Sequence, residues 1–555
     1  MSTRTDDTNT NQISGCRSAN SRPRQGRLGS RKSNNGCITC KIRKVKCDEF
    51  RPACNRCLFT GRKCDGYARD DVAQPRTPVV GGIVMLAKRP TIYVNAKPME
   101  LQSFEFFMRQ IVPGFTRIVD KQFWHRLVPQ LSHSDRVIWD ALIAMARLIQ
   151  HPQHSQTFVL PRSTRIKKPV TNEEHRRALR WYSRSIAGLQ TRMKQGSTWW
   201  ATNNVTCILY ICIECLQDNT VEAFNIHERA ATMLVMGTRR SPDACAKSQS
   251  ELCVEDTSRA LLRHFSISHG QPIHQSRLTS YHLERTYEVL TNAKEGLYLL
   301  LIEAHGFVMR AHATKEAQAK YWTPTANENE LQTHILAKFM QWYSAISEHI
   351  CNHKLIPGSD EDELYAVLLV AYSHWYVMLS SCLSKSATVF DNFLHIFQSM
   401  VEHASRAIAV TKGHTRPVFI FETRFIPSLY FVAINCRHPI IRRQAIALLR
   451  VGPKIENLWR AEQLVEIAEM CVGIEESGSE QGLFHADAHN IELPPEHHRI
   501  WSEHVVELPD SQARPCYYLK FGRWHQDENL EWVKTEHCVK MRNQINNANQ
   551  IRDLA

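Results

Sequence analysis

Residues 37–64 read CITCKIRKVKCDEFRPACNRCLFTGRKC, and the rest of the chain is organised around this stretch. Six of the eighteen cysteines fall in it, Cys37, Cys40, Cys47, Cys54, Cys57 and Cys64, at the spacing C-x2-C-x6-C-x6-C-x2-C-x6-C. The second C-x2-C-x6-C repeats the first, so the segment is an internal duplication expected to fold about a pseudo-two-fold axis. Disulfides need no such spacing, whereas C-x2-C lets two thiolates from one tight turn reach a single tetrahedral zinc. One zinc would use four of the six. Two zincs need eight ligand positions, which six thiolates fill if two of them bridge both metals, and the symmetry of the repeat puts the bridging pair at equivalent positions. A segment with so little apolar content of its own is then folded by the metal.

Other readings of the six cysteines compete. Cys37, Cys40, Cys54 and Cys57 alone make a single four-cysteine zinc site, but this leaves Cys47 and Cys64 unexplained at identical offsets. Disulfides need an oxidising compartment, and the opening MSTRTDDTNTNQISG has no apolar run of the secretory kind. A structural zinc site that touches no DNA is the third alternative, and charge weighs against it. Residues 31–70 carry eleven Lys or Arg against four Asp or Glu. Counting two zincs and six thiolates, a surplus of about five positive charges remains on a very small module, which suits a phosphate surface. Residues 1–70 hold sixteen basic and six acidic residues, ten of the fourteen net charges of the whole chain.

With these residues in view, the segment resembles the binuclear zinc cluster of fungal transcription factors. The likeness covers all six cysteines, the basic run Lys41-Ile42-Arg43-Lys44-Val45-Lys46, Asp48 after the third cysteine and Pro52 before the fourth. The resemblance implies two zinc ions per chain, bridged by Cys37 and Cys54, with Cys40 and Cys47 completing one site and Cys57 and Cys64 the other. It implies that Lys44 reads bases, with Arg43 beside it, at CGG-like triplets, and that Pro52 shapes the connecting loop. A short helix starting near Cys40 is expected to project Lys41, Arg43, Lys44 and Lys46 into the major groove. Lys41, Lys46, Arg56, Arg62 and Lys63 are expected at phosphates, which position the protein and make binding salt-sensitive.

Around this module the chain divides by composition. Residues 1–30, rich in Ser, Thr, Asn, Arg and Gly, read as a disordered basic arm, with Arg22 to Lys32 suited to nuclear import. The cluster domain is placed at 31–68 and a Pro/Gly linker at 69–100, where no heptad repeat is sustained. Residues 101–476 read as a large all-α domain. Expected helices include a face Phe104, Phe107, Met108, Ile111 stopped by Pro113-Gly114, one starting at Ser132 to Asp135, and one behind a Thr171/Glu174 capping box. A hairpin of Trp200 to Leu216 and a second helix closed by Gly237 follows, with Cys207, Cys212 and Cys215 as buried small side chains. Further helices are expected around 286–311, 329–350, 361–383, 393–411, 439–450 and 461–473. The uncharged run Leu364 to Leu383 is long enough to span a bilayer but reads better as a buried core helix. The polar segment 477–555 is expected to hold one short β-hairpin, from Ile500 to Leu508 and Cys516 to Trp524.

FWHRLVPQLSHS at 123–134 and RHPIIRRQAIALLR at 437–450 also resemble the helical regulatory region of such fungal regulators. No nucleophile elbow, P-loop or dinucleotide fingerprint is found, His227-Glu228 lacks a second histidine at the protease spacing, and Glu475-Glu476 read as solvated carboxylates, so no enzyme is expected. The expectation is a mainly α, nuclear, zinc-dependent transcription factor for RNA polymerase II genes. Its partners would be double-stranded DNA, the transcription machinery and a second copy through the helical domain, with no membrane. A DNA-binding architectural or repair protein, or a helical scaffold with a structural zinc module, stands as the alternative.

Overall fold

Cysteine takes the place of the usual capping residue at the first two helices among the described residues. The structure, a computed structural model, describes residues 36–50, 53–65, 96–115, 123–152, 172–195, 200–240, 258–259, 261–262, 265, 289–318, 321–352, 355–410, 418–477, 493–509, 515–526 and 531–541. The arm at 1–30, Pro52, most of the linker, Thr171 and nearly all of the polar stretch 238–257 lie outside these residues. Two compact units divide at Gly82 and Ile83. The first holds helices α1 (Ile38–Ile42) and α2 (Asn55–Phe59).

The second unit is built on three hydrophobic clusters. Helices α3 (Pro98–Phe106), α4 (Val112–Phe115), α5 (Val128–Ser134), α6 (Arg136–Gln150), α7 (Glu173–Lys194), α8 (Trp200–Leu216) and α9 (Thr220–Arg240) enclose the first of these. Asp135 caps α6, its side chain accepting from Val137 N at 2.9 Å, and thirteen residues of α6 from Val137 to Ile149 are buried. Cys207, Cys212 and Cys215 are buried on α8, where burial pushes the Cys207 thiol up to about 12. Glu100, 1% exposed, ties three of these helices together: it accepts from Arg136 at 2.9 Å, Trp181 Nε1 at 3.1 Å and Arg184 at 3.2 Å.

Helices α10 (Val289–Gln318), α11 (Ala326–Asn352), α12 (Asp360–Ser381), α13 (Leu394–Val410), α14 (Ile426–Asn435), α15 (Pro439–Val451) and α16 (Ala461–Glu476) carry the other two clusters. Helix α12 is long and apolar enough to cross a membrane by composition. Its placement explains that composition. Ala366, Val367, Val370 and Val377 face one cluster while Leu364, Leu368, Tyr372 and Leu379 face the other, so the helix is a partition with little face left for water.

Several elements differ from the sequence reading. The face from Phe104 does not stop at Pro113-Gly114. A π-turn at Phe107–Ile111 lets Val112 N donate to Phe107 O and carries the helix past Pro113, which has no N–H to donate. The cap of α7 is Asn172, whose Oδ1 accepts from Glu174 N at 2.8 Å, rather than Thr171. Helix α9 runs through Gly237 to Arg240, a glycine tolerated mid-helix at a cost of about 1 kcal/mol. The helical unit also contains strands: β1 (Phe419–Ile420) pairs in parallel with β2 (Ile455–Glu456), which pairs antiparallel with β3 (Trp459–Arg460) through a turn at Asn457, φ 57°.

That small sheet explains helix α14, which sequence reasoning missed. Its first N–H groups are capped from a distance by Glu456 on β2, whose Oε2 accepts from the N–H groups of Arg424, Phe425 and Ile426, each at 2.9 Å. Glu475 is likewise no solvated carboxylate. With Arg437 and Arg442 it is fully buried; Arg437 donates to it at 3.0 Å and Arg442 at 2.7 Å, and it accepts from Ile500 N at 2.8 Å. Burial works to raise its pKa, but the two guanidiniums hold it below the usual carboxylate range. This knot fastens the entry to a C-terminal sheet of three strands, not a two-stranded hairpin: β4 (Ser502–Pro509), β5 (Pro515–Gln526) and β6 (Trp532–Lys540), antiparallel in that order. Tyr517, Leu519 and Phe521 alternate inward from β5.

Candidate metal centre and nucleic-acid surface

The duplication in the sequence is a duplication in space. Cys37 is the N-cap of α1, and its Sγ accepts from Cys40 N at 3.3 Å; Cys54 is the N-cap of α2, and its Sγ accepts from Cys57 N at 3.3 Å. After each helix the chain turns back through a left-handed residue, Lys44 at φ 54° and Gly61 at φ 60°, seventeen positions apart like Cys37 and Cys54. Val45 N then donates to Cys40 O at 3.2 Å and Arg62 N to Cys57 O at 3.0 Å. Each repeat ends on an aspartate that clasps the other repeat's helix. Asp48 accepts from Asn55 N at 2.9 Å and Arg56 N at 3.1 Å; Asp65 accepts from Thr39 Oγ1 at 2.8 Å.

These turns bring the sulfurs together. Cys37, Cys40, Cys54 and Cys57 are fully buried, with separations of 3.5 Å for Cys37 and Cys54, 3.7 Å for Cys40 and Cys54, and 3.8 Å for both Cys37 and Cys40 to Cys57. Four sulfurs each ~2.3 Å from a tetrahedral zinc stand ~3.8 Å apart, so the quartet has the dimensions of a thiolate zinc site. The remaining pair joins from opposite ends. Cys47 lies within 4.8 Å of Cys54 and accepts from Cys37 N at 3.4 Å, while Cys64, half-exposed, reaches Cys37. Burial pushes the Cys37 thiol up to about 12 and raises Cys40 and Cys54 as well. Packed thiols of this kind do not ionise by themselves; a divalent cation supplies the charge that makes them thiolates. The donor set fits zinc.

The basic residues lie on the outside of the same turns. Lys41, Lys44, Lys46, Arg56, Arg62 and Lys63 are exposed, and Arg43 is half-buried, its Nη1 donating to Thr60 Oγ1 of the second repeat at 3.4 Å. Helix α1 begins two residues earlier than the expected start near Cys40 and ends at Ile42, so Lys41 is helical, Arg43 is the C-cap and Lys44 and Lys46 stand beyond it. The reason is geometric: the sulfur of Cys37 anchors the first turn, and the chain must reverse at Lys44 to return Cys47 to the cluster. Sequence reasoning missed the left-handed turn, the exchange of clasps by Asp48 and Asp65, and the Arg43–Thr60 contact. The first two had a signal in the sequence, since Lys44 aligns with Gly61 and Asp48 with Asp65 in the repeat.

Residues 35–72 match the fungal Zn(2)-Cys(6) binuclear cluster domain. The chain is 30% identical over 206 residues to the aspercryptin biosynthesis cluster-specific transcription regulator atnN of Emericella nidulans, covering 34% of this chain and 32% of that protein. It is 35% identical over 137 residues to the Zn(2)-C6 fungal-type transcription factor afumD of Aspergillus fumigatus, 24% and 36% of the two chains. Over 37 residues, 7% of each chain, it is 49% identical to the transcriptional regulatory protein moc3 of Schizosaccharomyces pombe. The chain thus matches about a third of the length of the first two relatives. No solved structure matches it. Domains of this family bind two zinc ions through six cysteines. The chain therefore carries, at residues 35–72, a fungal Zn(2)-Cys(6) binuclear cluster domain, and its curated relatives are fungal transcription regulators, not enzymes.

Proposed function

We propose that this chain is a sequence-specific, zinc-dependent transcription factor that acts in the nucleus on RNA polymerase II genes and reads CGG-like triplets in the major groove. Cys37 and Cys54 bridge the two zincs, Cys40 and Cys47 complete one site, and Cys57 and Cys64 complete the other. Lys44 reads base edges with Arg43 beside it, and Lys41, Lys46, Arg56, Arg62 and Lys63 meet phosphates. The supporting observation is the turn at Lys44: its left-handed backbone follows the end of α1 and carries an exposed lysine between exposed Lys41 and Lys46. The parts are a basic arm at 1–30, the reader at 31–68, a linker at 69–100, a helical regulatory and assembly domain at 101–476 that pairs copies and meets the transcription machinery, and a C-terminal segment at 477–555.

The test is zinc stoichiometry on the full-length protein together with selection from a randomised duplex pool at fixed salt. Two zincs and enrichment of a motif with a CGG-like triplet are expected, and a reporter carrying that motif should respond to the protein. Two zincs with no enriched motif would overturn sequence-specific reading; an enriched motif without reporter response would overturn transcriptional control.

A further inference from the structure

The repeat makes the two metal positions look alike, but the structure does not treat them alike. Resting on the zinc-cluster reading above, the position completed by Cys40 and Cys47 has terminal ligands only 0% and 8% exposed. The other position is completed by buried Cys57 and by Cys64, the one half-exposed sulfur of the six. Cys64 sits at the end of the second repeat, and a side-chain clasp holds that end to α1. Thr39 Oγ1 donates to Asp65 Oδ2 at 2.8 Å and accepts from Asp65 N at 2.9 Å, with Lys63 O at 3.4 Å. The related clasp in the first repeat is built differently, because Asp48 takes two backbone N–H groups of α2. One clasp takes two backbone N–H groups on a carboxylate; the other runs through a single threonine hydroxyl.

We propose that the Cys57/Cys64 position is an exchangeable zinc site, and that Thr39 and Asp65 are positioning residues that set how fast its metal leaves. The departing zinc goes to a competing chelator, and the Cys57 and Cys64 thiolates take up protons. The cluster half that carries Lys44 keeps its metal. Loss of the exchangeable zinc loosens the turn bearing Arg62 and Lys63, so binding weakens across all duplexes without a change of preferred sequence.

The experiment uses the zinc-loaded full chain and the chromogenic chelator 4-(2-pyridylazo)resorcinol, with iodoacetamide added after one equivalent has left and the labelled cysteines mapped by mass spectrometry. One fast and one slow equivalent are expected, with Cys57 and Cys64 labelled before Cys40 and Cys47. Thr39→Val and Asp65→Asn should speed the fast phase by about three- to ten-fold and leave the slow phase alone, and Thr39→Ser should restore the original rate. Equal release of the two equivalents, or early labelling of Cys40 and Cys47, overturns the proposal. So does an Asp48→Asn variant that speeds the fast phase as much as Asp65→Asn does. A chain that loads fewer than two zincs overturns the cluster reading itself, a result distinguishable from two equal phases.

Discussion

Replacing Lys44 by glycine should separate the strain of its turn from the chemistry of its ammonium. An L side chain in the left-handed well costs about 1–2 kcal/mol, and Lys44 carries that cost at φ 54° where its counterpart in the second repeat, Gly61 at φ 60°, avoids it. Lys44→Gly removes the strain but gives the unfolded chain extra freedom worth about 0.5–1 kcal/mol. The net expectation is between no change and about 1.5 kcal/mol of added stability. Lys44→Ala keeps the strain and should be close to neutral. Both remove the ammonium, and if it contacts a guanine edge, discrimination falls by about 1–3 kcal/mol, roughly a five- to 150-fold loss in the ratio of cognate to scrambled binding. The ratio is measured at fixed salt with the motif selected by the wild-type chain. Stability is measured as the chelator concentration that strips the second, more tightly held zinc. If Lys44→Gly gives up its zinc more readily than Lys44→Ala, the turn is not left-handed in solution; if both variants keep the wild-type ratio, Lys44 does not read bases.

Lys46→Ala should weaken cognate and scrambled duplexes alike and reduce the slope of log affinity against log salt by about one; a changed preference would refute its assignment to phosphate. Cys37→Ser and Cys54→Ser should lose more bound zinc than Cys64→Ser, because a bridging thiolate serves two metals, and two zincs retained in Cys37→Ser would place the bridge elsewhere. In the helical unit, burial works to raise Glu100, but the Trp181 indole and the Arg136 and Arg184 guanidiniums hold it at about 2. Its folded pKa is therefore depressed below the unfolded value of ~4.3, so its stabilisation is present above that value and is lost as pH falls through about 2. The gap in urea midpoint between wild type and Glu100→Gln should accordingly be widest near neutrality and narrow below pH ~4; a gap independent of pH would refute it. Glu456→Ala leaves three N–H groups at the start of α14 uncapped and should cost at least ~2 kcal/mol in the same assay.

What was legible in the sequence was what local chemistry encodes. Cysteine spacing carries the metal centre because ligand geometry requires it, and Asp135 or the period of Ile138, Leu142 and Ala146 carries α6 because caps and faces lie within a few residues of one another. What was not legible came from partners far apart in the chain. Helix α14 is apolar nearly all round and has its cap thirty residues away on β2, so neither periodicity nor a capping residue marks it. Glu475 reads as solvated until Arg437 and Arg442 are packed around it. Strand β6 escaped because it lies on β5 with Glu536 to Lys540 exposed, which removes the apolar alternation that betrays a half-buried strand.

The same contrast between symmetric and asymmetric demands runs through the zinc module. Metal ligation constrains both repeats equally, and so they share the cysteine caps, the left-handed turn and the aspartate clasp. Contact with DNA makes no such demand on the second copy. There Lys41 is matched by Leu58, Ile42 by Phe59, Arg43 by Thr60 and Lys44 by Gly61. Leu58 is 59% and Phe59 90% exposed, so the second turn offers apolar surface and a bare glycine where the first offers cations. A phosphate backbone is attracted by charge, and a base edge in the major groove needs a side chain long enough to reach it; Gly61 supplies neither. If Lys44 reads bases as proposed, base reading by this module is one-sided. On that reading one zinc module specifies one short site through its first repeat.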